Sequence, residues 1–239
     1  MSAFCFYAAG RSPALMFAIN ALQEAGCVFS QMPDETVTHL LLPVPSMESP
    51  EQIKGGQNLY ELLQHLPEDI TIIGGNLPEL QGYKVIDLLK DDVYVAENAS
   101  ITAYCAITIA LGKLPVTLKG CKCLVIGWGR IGKCLARLLK DMGAIVTVAA
   151  RKAADRAMAE ALGFASADTA DIHPESYRVI FNTAPELILP QCHANALKID
   201  LASKPGITGP DVIWARGLPG KDTPESAGYL MAQRILYYI

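Results

Sequence analysis

The sequence predicts an α/β protein of two lobes, each built on a parallel sheet, and three observations carry the prediction. Short apolar runs alternate with helix-length stretches along most of the chain. Helical stretches stop at glycines, as at Gly26, Gly143 and Gly163. Gly127-x-Gly129-x-x-Gly132 stands between a clear apolar run and a clear helical one. The chain has 239 residues, 51% of them hydrophobic, enough for one large core or two modest ones.

The first strand is expected over Ala3 to Ala8. Ser12 and Pro13 cap and open a helix to about Ala25. Val37 to Leu42 is the next apolar run. Leu42 to Gln57 is rich in Pro, Ser and Gly and reads as a surface loop with a disordered tip. Asn58 to Leu66 reads as helix, Ile70 to Gly74 and Lys84 to Asp87 as strands, and Leu88 to Glu97 as a charged connector. A helix follows from about Ala99 to Leu111, capped by Asn98 or Ser100 and ended by Pro115.

The second half keeps the rhythm without an internal repeat. Strands are expected at Cys123 to Gly127, Ile145 to Ala149, Val179 to Asn182, Ile199 to Leu201 and Val212 to Ala215. Helices are expected at Arg130 to Met142 and Ala153 to Leu162, and a closing helix starts at Thr223-Pro224-Glu225. The predicted lobes are 1–97 and 98–223, with helix 224–239 packing back on the first and the active site in the cleft between them.

The glycine motif makes the lobes Rossmann-like and the second a dinucleotide-binding one. Gly127 ends a strand, Gly129 leaves room for a pyrophosphate, and Gly132 lets the helix pack on the strand. Amides of Trp128, Arg130 and Ile131 can point at phosphates from the helix N-terminus. The plainer reading is a tight turn without a ligand. The next strand ends in Ala150-Arg151-Lys152, with no carboxylate for a ribose diol. Arg151 and Lys152 suit a 2′-phosphate instead, which favours NADP over NAD, unless both are simply solvated.

Ligands meet parallel sheets at the carboxyl ends of strands. Three such ends carry small, hydrogen-bonding loops: Asn182-Thr183-Ala184-Pro185, Ala202-Ser203-Lys204-Pro205-Gly206 and Arg216-Gly217-Leu218-Pro219-Gly220-Lys221. From these, Thr183, Ala184, Pro185, Ala202, Ser203, Gly217 and Pro219 join the cofactor candidates. Ordinary turn chemistry is the alternative.

Other classes are disfavoured. The net charge is −4 with no basic block, which argues against a nucleic-acid surface. The longest apolar stretch, Ile101 to Leu114, is too short and mixed to span a bilayer. The opening MSAFCFYAAGRSP has no basic leader, and seven cysteines suit reduced thiols in a cytoplasm. Cys121-x-Cys123 lacks a second pair at zinc spacing and reads as strand residues, and the four histidines form no metal box.

Together, VIGWGRIGKCLARLLKDMGAIVTVAAR, IFNTAPELIL, IDLASKPGI and GLPGKDTPESAGYL resemble the A subunits of bacterial dipicolinate synthase. DDVYVAENASITAYCAITIAL, YAAGRSPAL and LLLPVP resemble them more loosely. The arrangement is similar, more remotely, to the 2-hydroxyacid and alanine dehydrogenases. The resemblance implies an NADP-linked oxidation of dihydrodipicolinate to dipicolinate, the calcium-binding compound of bacterial spores. It also implies a flavoprotein-like B subunit for a partner and a homo-oligomer in the cytoplasm. A dicarboxylate substrate needs anion anchors. Arg11, with Ser12 at a helix N-terminus, is the first candidate. Asn98, Ser203 and Lys204 are the catalytic candidates, touching carboxylates or the ring nitrogen, and Lys204 is a general base only if burial or a nearby cation lowers its pKa.

The sequence departs from that family in its first lobe, which is shortened between about Thr36 and Lys84. Tyr104-Cys105 stands where the family has an acidic residue and Gly, and Glu225 where Lys is common. A catalytically silent dinucleotide-binding subunit or sensor, or a dehydrogenase of another small carboxylate, therefore stays open beside the enzyme.

Overall fold

The computed structural model describes residues 4–239, so Ala3 of the first expected strand lies outside the described residues. Two compact units form, Met1–Asn98 with Pro219–Ile239, and Ala99–Leu218. The second boundary falls ahead of the expected residue 223.

In the first unit, β1 (Cys5–Ala8), β2 (Val28–Phe29), β3 (His39–Leu41), β4 (Thr71–Gly74) and β5 (Lys84–Asp87) form one sheet in the order β2-β1-β3-β4-β5. Every pairing is parallel. β2 is two residues long, too short for an apolar run, so the sequence does not announce it. Helix α1 (Pro13–Glu24) starts where Ser12 Oγ accepts from the Leu15 amide at 3.1 Å, with Pro13 in its first turn.

The segment 42–57 is no disordered tip. Leu42 and Ile53 are fully buried in a core shared with Leu40, Leu59, Ile70 and Ile72. The buried Ser46 hydroxyl donates to the Pro43 carbonyl at 2.8 Å and accepts from the Gly75 amide at 2.9 Å. Bridges Met47–Ile53 and Gln52–Asn58 close the loop on itself, while residues 48–51 and 54–57 stay exposed on the surface. Two apolar side chains thus hold a segment whose composition reads as loop. Helix α2 (Leu59–Leu63) follows, capped by Asn58.

The expected connector Leu88–Glu97 is also structured. A turn of 3-10 helix, Leu88–Lys90, leads into α3 (Asp92–Lys113). Asp91 caps α3, its Oδ1 accepting from the Val93 and Tyr94 amides at 2.8 and 2.9 Å. Asn98 and Ser100 therefore lie inside the helix and cap nothing. The unit boundary falls within α3. By length and hydropathy alone α3 could cross a membrane. Its second half instead packs Ala103, Ala106, Ile107 and Ala110 into the core of the second unit.

The second unit has β6 (Lys122–Ile126), β7 (Ile145–Ala149), β8 (Ala165–Ala167), β9 (Val179–Asn182), β10 (Leu197–Asp200) and β11 (Val212–Trp214) in the order β11-β10-β9-β6-β7-β8, all parallel. Helices α4 (Arg130–Asp141) and α5 (Ala153–Ala161) connect the first three strands. Cys123 and Val125 enter one apolar cluster, Leu124 and Ile126 the other, so both faces of the sheet are covered. Cys121 and Cys123 are strand-edge and strand residues, and burial beside Cys121 pushes the Cys123 thiol well above its ordinary range. Among the described residues no cluster of His, Cys, Asp and Glu could hold a metal.

After β11 the expected loop Arg216 to Lys221 is only partly a loop. It turns at Gly217 into a short helix α6 (Leu218–Asp222), and α7 (Pro224–Tyr238) follows. α7 lies on α1. A Cβ on Gly228 would stand 2.5 Å from the Ala14 carbonyl oxygen and from Phe17 Cβ, so only glycine allows this approach. The end of α7 is tied to the start of α3. Asp91 Oδ2 accepts from Arg234 Nη2 at 2.6 Å, from Arg234 Nε at 3.0 Å and from the Tyr238 hydroxyl at 2.6 Å. Burial alone would raise the Asp91 pKa, but the bonds from Tyr238, Tyr94 and Arg234 and the Arg234 charge outweigh it and bring it to about 2.

That depression sets a pH dependence. A carboxyl held below its unfolded value stabilises the fold fully above pH ~4, and the contribution fades as pH falls toward 2. Asp91→Asn should lower stability at neutral pH by about 2–4 kcal/mol, since it leaves Arg234 without its partner. Both tryptophans lie in the second unit, so far-UV circular dichroism is the readout. The gap between wild type and variant should narrow below pH 4; a gap independent of pH would refute the assignment.

Candidate functional site

In each unit the strand order reverses once, and the crevice at that point is where ligands meet a parallel sheet. In the second unit it lies between β6 and β9. Gly127, with φ 99°, makes the turn, and a Cβ there would stand 2.5 Å from Thr183 Oγ1. A Cβ on Gly132 would collide with the Gly127 carbonyl oxygen. Both glycines are therefore demanded by the chain itself. Gly129 is different. Its φ of −77° and ψ of −169° suit any residue, and a Cβ would meet nothing within 4 Å. It leaves space that the protein does not fill, in front of an α4 N-terminus that no side chain caps. The geometry fits a dinucleotide pyrophosphate, with the Arg130 and Ile131 amides at the helix start. The indole of Trp128 turns into the core instead, edge-on to Phe164 at 5.8 Å.

The loop after β9 is pinned to its neighbours. Thr183 donates through both its amide and its hydroxyl to the Ile126 carbonyl, at 2.8 and 2.9 Å. Ala184 is held at both ends by the fully buried Asn182, whose Oδ1 accepts from the Ala184 amide and whose Nδ2 donates to its carbonyl. Asn182 Nδ2 also donates to Asp200 Oδ1 at 2.8 Å. Asp200 is fully buried and accepts four bonds in all, the others from the amides of Ala202, Gly206 and Ile207 at 3.0, 2.7 and 2.9 Å. One carboxylate thereby shapes the Ala202–Ile207 loop. Gly206 is needed where the two loops cross, because a Cβ would lie 2.6 Å from the Glu186 carbonyl oxygen. Pro185 is exposed beside them.

Ser203 and Lys204 project from that loop into solvent, and neither side chain has a partner among the described residues. The burial that a general-base role for Lys204 required is absent. Ala202 is buried, its carbonyl accepting from Trp214 Nε1 at 3.0 Å. The Arg216 guanidinium stands 5.2 Å over the Trp214 ring, next to Gly217 with φ 66°. Pro219 is buried in α6 and is grouped with the first unit.

At the end of β7, Arg156 Nη1 donates to the Ala150 and Arg151 carbonyls, both at 2.8 Å, and pairs with Asp168 at 2.6 Å. Arg151 and Lys152 are exposed there. The sequence offers no local carboxylate for this corner, yet one is present. Glu186, from the loop after β9, pairs with Arg151 at 2.8 Å. Asp200, Arg156 and Glu186 are not among the residues the sequence singles out. A charge inside an apolar strand signals Asp200; nothing local signals Glu186.

A cavity of about 460 Å³ is lined by Trp128 of the glycine motif together with Lys133, Arg137, Lys140, Leu162 and Phe164. Arg137 is paired with Asp141, and Lys140 donates to the carbonyls that follow α5, so these cations serve the fold.

In the first unit the reversal lies between β1 and β3, and Gly10-Arg11-Ser12 stands there. The Arg11 amide donates to the Lys54 carbonyl at 2.9 Å, while its guanidinium is exposed and unpaired among the described residues. The Ser12 oxygen is occupied as the α1 cap, leaving its proton to donate. Asn98 is half-buried within α3.

Residues 110–187 match the NAD-binding domain of the D-isomer specific 2-hydroxyacid dehydrogenases. Over 234 residues the chain is 26% identical to the A subunit of dipicolinate synthase from Bacillus subtilis (strain 168), covering 86% of this chain and 79% of that one. The crystal structure of dipicolinate synthase, A chain, from Bacillus subtilis superposes with a TM-score of 0.83 at 22% identity, over 100% of this chain and 96% of that one. The A subunit from Bacillus halodurans gives 0.84 at 21%, over 100% and 98%. A transhydrogenase from Sinorhizobium meliloti gives 0.67 at 12%, over 98% and 92%. The resemblance to the A subunits and the α/β fold of two Rossmann-like lobes are thus borne out, and residues 110–187 are similar to a dehydrogenase NAD-binding domain.

The glycines separate by what each serves. Gly129→Val should keep the fold, read by circular dichroism, and abolish NADPH binding. Gly132→Val should lose the fold with it. Unchanged affinity in the first variant would refute the pyrophosphate placement. Asp200→Ala should cost about 3–5 kcal/mol, because Asn182 and three amides lose their acceptor; chemical denaturation measures it.

Proposed function

We propose that the chain is an NADP-linked oxidoreductase that converts dihydrodipicolinate to dipicolinate, working in the cytoplasm as a homo-oligomer with a flavoprotein-like B-type partner. The observation that carries the reading is Gly129, a glycine its own backbone does not need, before an uncapped helix and beside a strand end with Arg151 and Lys152. The similarity to the A subunit of dipicolinate synthase supplies the substrate.

A bound nicotinamide would supply the acceptor for a hydride from a ring carbon of the substrate. The protein binds and orients. The second-unit groups at the strand ends, Gly127 to Gly132, Thr183, Ala184, Pro185, Ala202, Ser203 and Gly217, hold the dinucleotide, and Arg151 and Lys152 take the 2′-phosphate. Arg11 pairs with a substrate carboxylate and Ser12 donates its proton to it. Asn98, Ser203 and Lys204 contact the second carboxylate and the ring nitrogen. The departing ring proton passes to water near Lys204. Aromatisation drives the step, so positioning suffices without a strong base. The exposure of Ser203 and Lys204 favours a second reading, a catalytically silent subunit or sensor that binds the dinucleotide.

Purified chain mixed with NADP and dihydrodipicolinate made in situ should show dipicolinate absorbance and NADPH rising together. Tight NADPH binding with no turnover, even in the presence of a B-type partner, would select the silent subunit. Substituting Arg11→Ala should raise the KM for the dicarboxylate about tenfold or more and leave that for NADP unchanged. An equal effect on both would remove Arg11 from the substrate site. Tighter binding of NADH than of NADPH would overturn the coenzyme preference.

A further inference from the structure

We propose that Glu186 is a coenzyme-specificity residue, acting against NADP by competing with its 2′-phosphate for Arg151; the inference rests on the dinucleotide reading above. Strand β6 lies between β7 and β9. Arg151 follows the end of β7 and Glu186 the end of β9, so their ion pair reaches across the end of β6, where the glycine turn begins. Arg151 Nη1 alone serves both carboxylate oxygens, at 2.8 and 3.1 Å. Nε and Nη2 make no other hydrogen bond among the described residues and remain open to an anion.

Both partners are held from behind. Arg156 fixes the Arg151 backbone through its carbonyl. The Glu186 backbone runs against Gly206, whose carbonyl accepts from the Ile188 and Leu189 amides at 2.8 and 3.0 Å. Neither loop can carry its charge away, so the two side chains meet in the resting protein. The side chains are 69% and 59% exposed, which makes the pair weak and replaceable. A 2′-phosphate arriving at Arg151 either displaces the carboxylate, at the cost of the ion pair, or stays beside it and is repelled by its like charge, and both outcomes disfavour binding. NAD brings no such group and leaves the pair intact. Glu186 thereby narrows the preference that Arg151 and Lys152 create.

Equilibrium titration with NADH and with NADPH, followed by coenzyme fluorescence, tests this in wild type, Glu186→Gln and Arg151→Ala/Glu186→Gln. The exposed Gln keeps the side-chain size, and circular dichroism checks the fold. Glu186→Gln should tighten NADPH about two- to fivefold and leave NADH within about twofold, with the gain shrinking at high salt. The gain should vanish without Arg151. An equal change for both coenzymes, no change, or weaker NADPH binding would overturn the inference alone. A wild type that binds neither coenzyme would overturn the dinucleotide reading with it.

Discussion

The buried carboxylate of Asp200 is the constraint from which the second unit's ligand face follows. An ionised group with no access to water must have its lone pairs filled, and here four N–H groups fill them. Three belong to the loop after its own strand and one to Asn182 on the neighbouring strand. The loops after β9 and β10 are therefore one object. Asn182 passes the constraint to Ala184, and Gly206 lets the Glu186 backbone settle against it. The exposed candidate residues of these loops sit on backbone whose path is fixed from beneath.

The glycines divide the same face by purpose. Gly127, Gly132 and Gly206 exist because the chain turns or packs too closely for a side chain, and Gly129 exists although the chain has room. Only the last points outward, toward something the protein accommodates. The charges follow the same division. Arg156 and Asp168 brace backbone, whereas Arg11, Lys152, Ser203 and Lys204 hold no partner among the described residues and are free to meet anions.

Much of this is legible in the sequence. The core strands β6, β7 and β9 are largely apolar runs, and they lie within a residue of where those runs predict. The start of β10 is not legible, because Lys198 interrupts the run and moves the expected strand to Ile199. Lys198 is in fact buried, donating to the Ala194 carbonyl at 2.9 Å. Segment 42–57 misleads because composition reports backbone preference, while Leu42 and Ile53 report burial. The start of α3 is hidden because Asp91 looks like one more charge in a charged stretch. Its cap and its three bonds from α7 exist only in the fold. Glu186 is hidden for a related reason: its partner lies 35 residues away, across a strand.

The tie between Asp91 and α7 has a consequence for biosynthesis. The first unit is discontinuous, and α1 packs on a helix made after the whole of residues 99–218. On the ribosome the second unit can close by itself while the first still lacks the helix that packs on α1. The order of assembly is thus the reverse of the order of synthesis, and the interval is when a chaperone would find the most to hold.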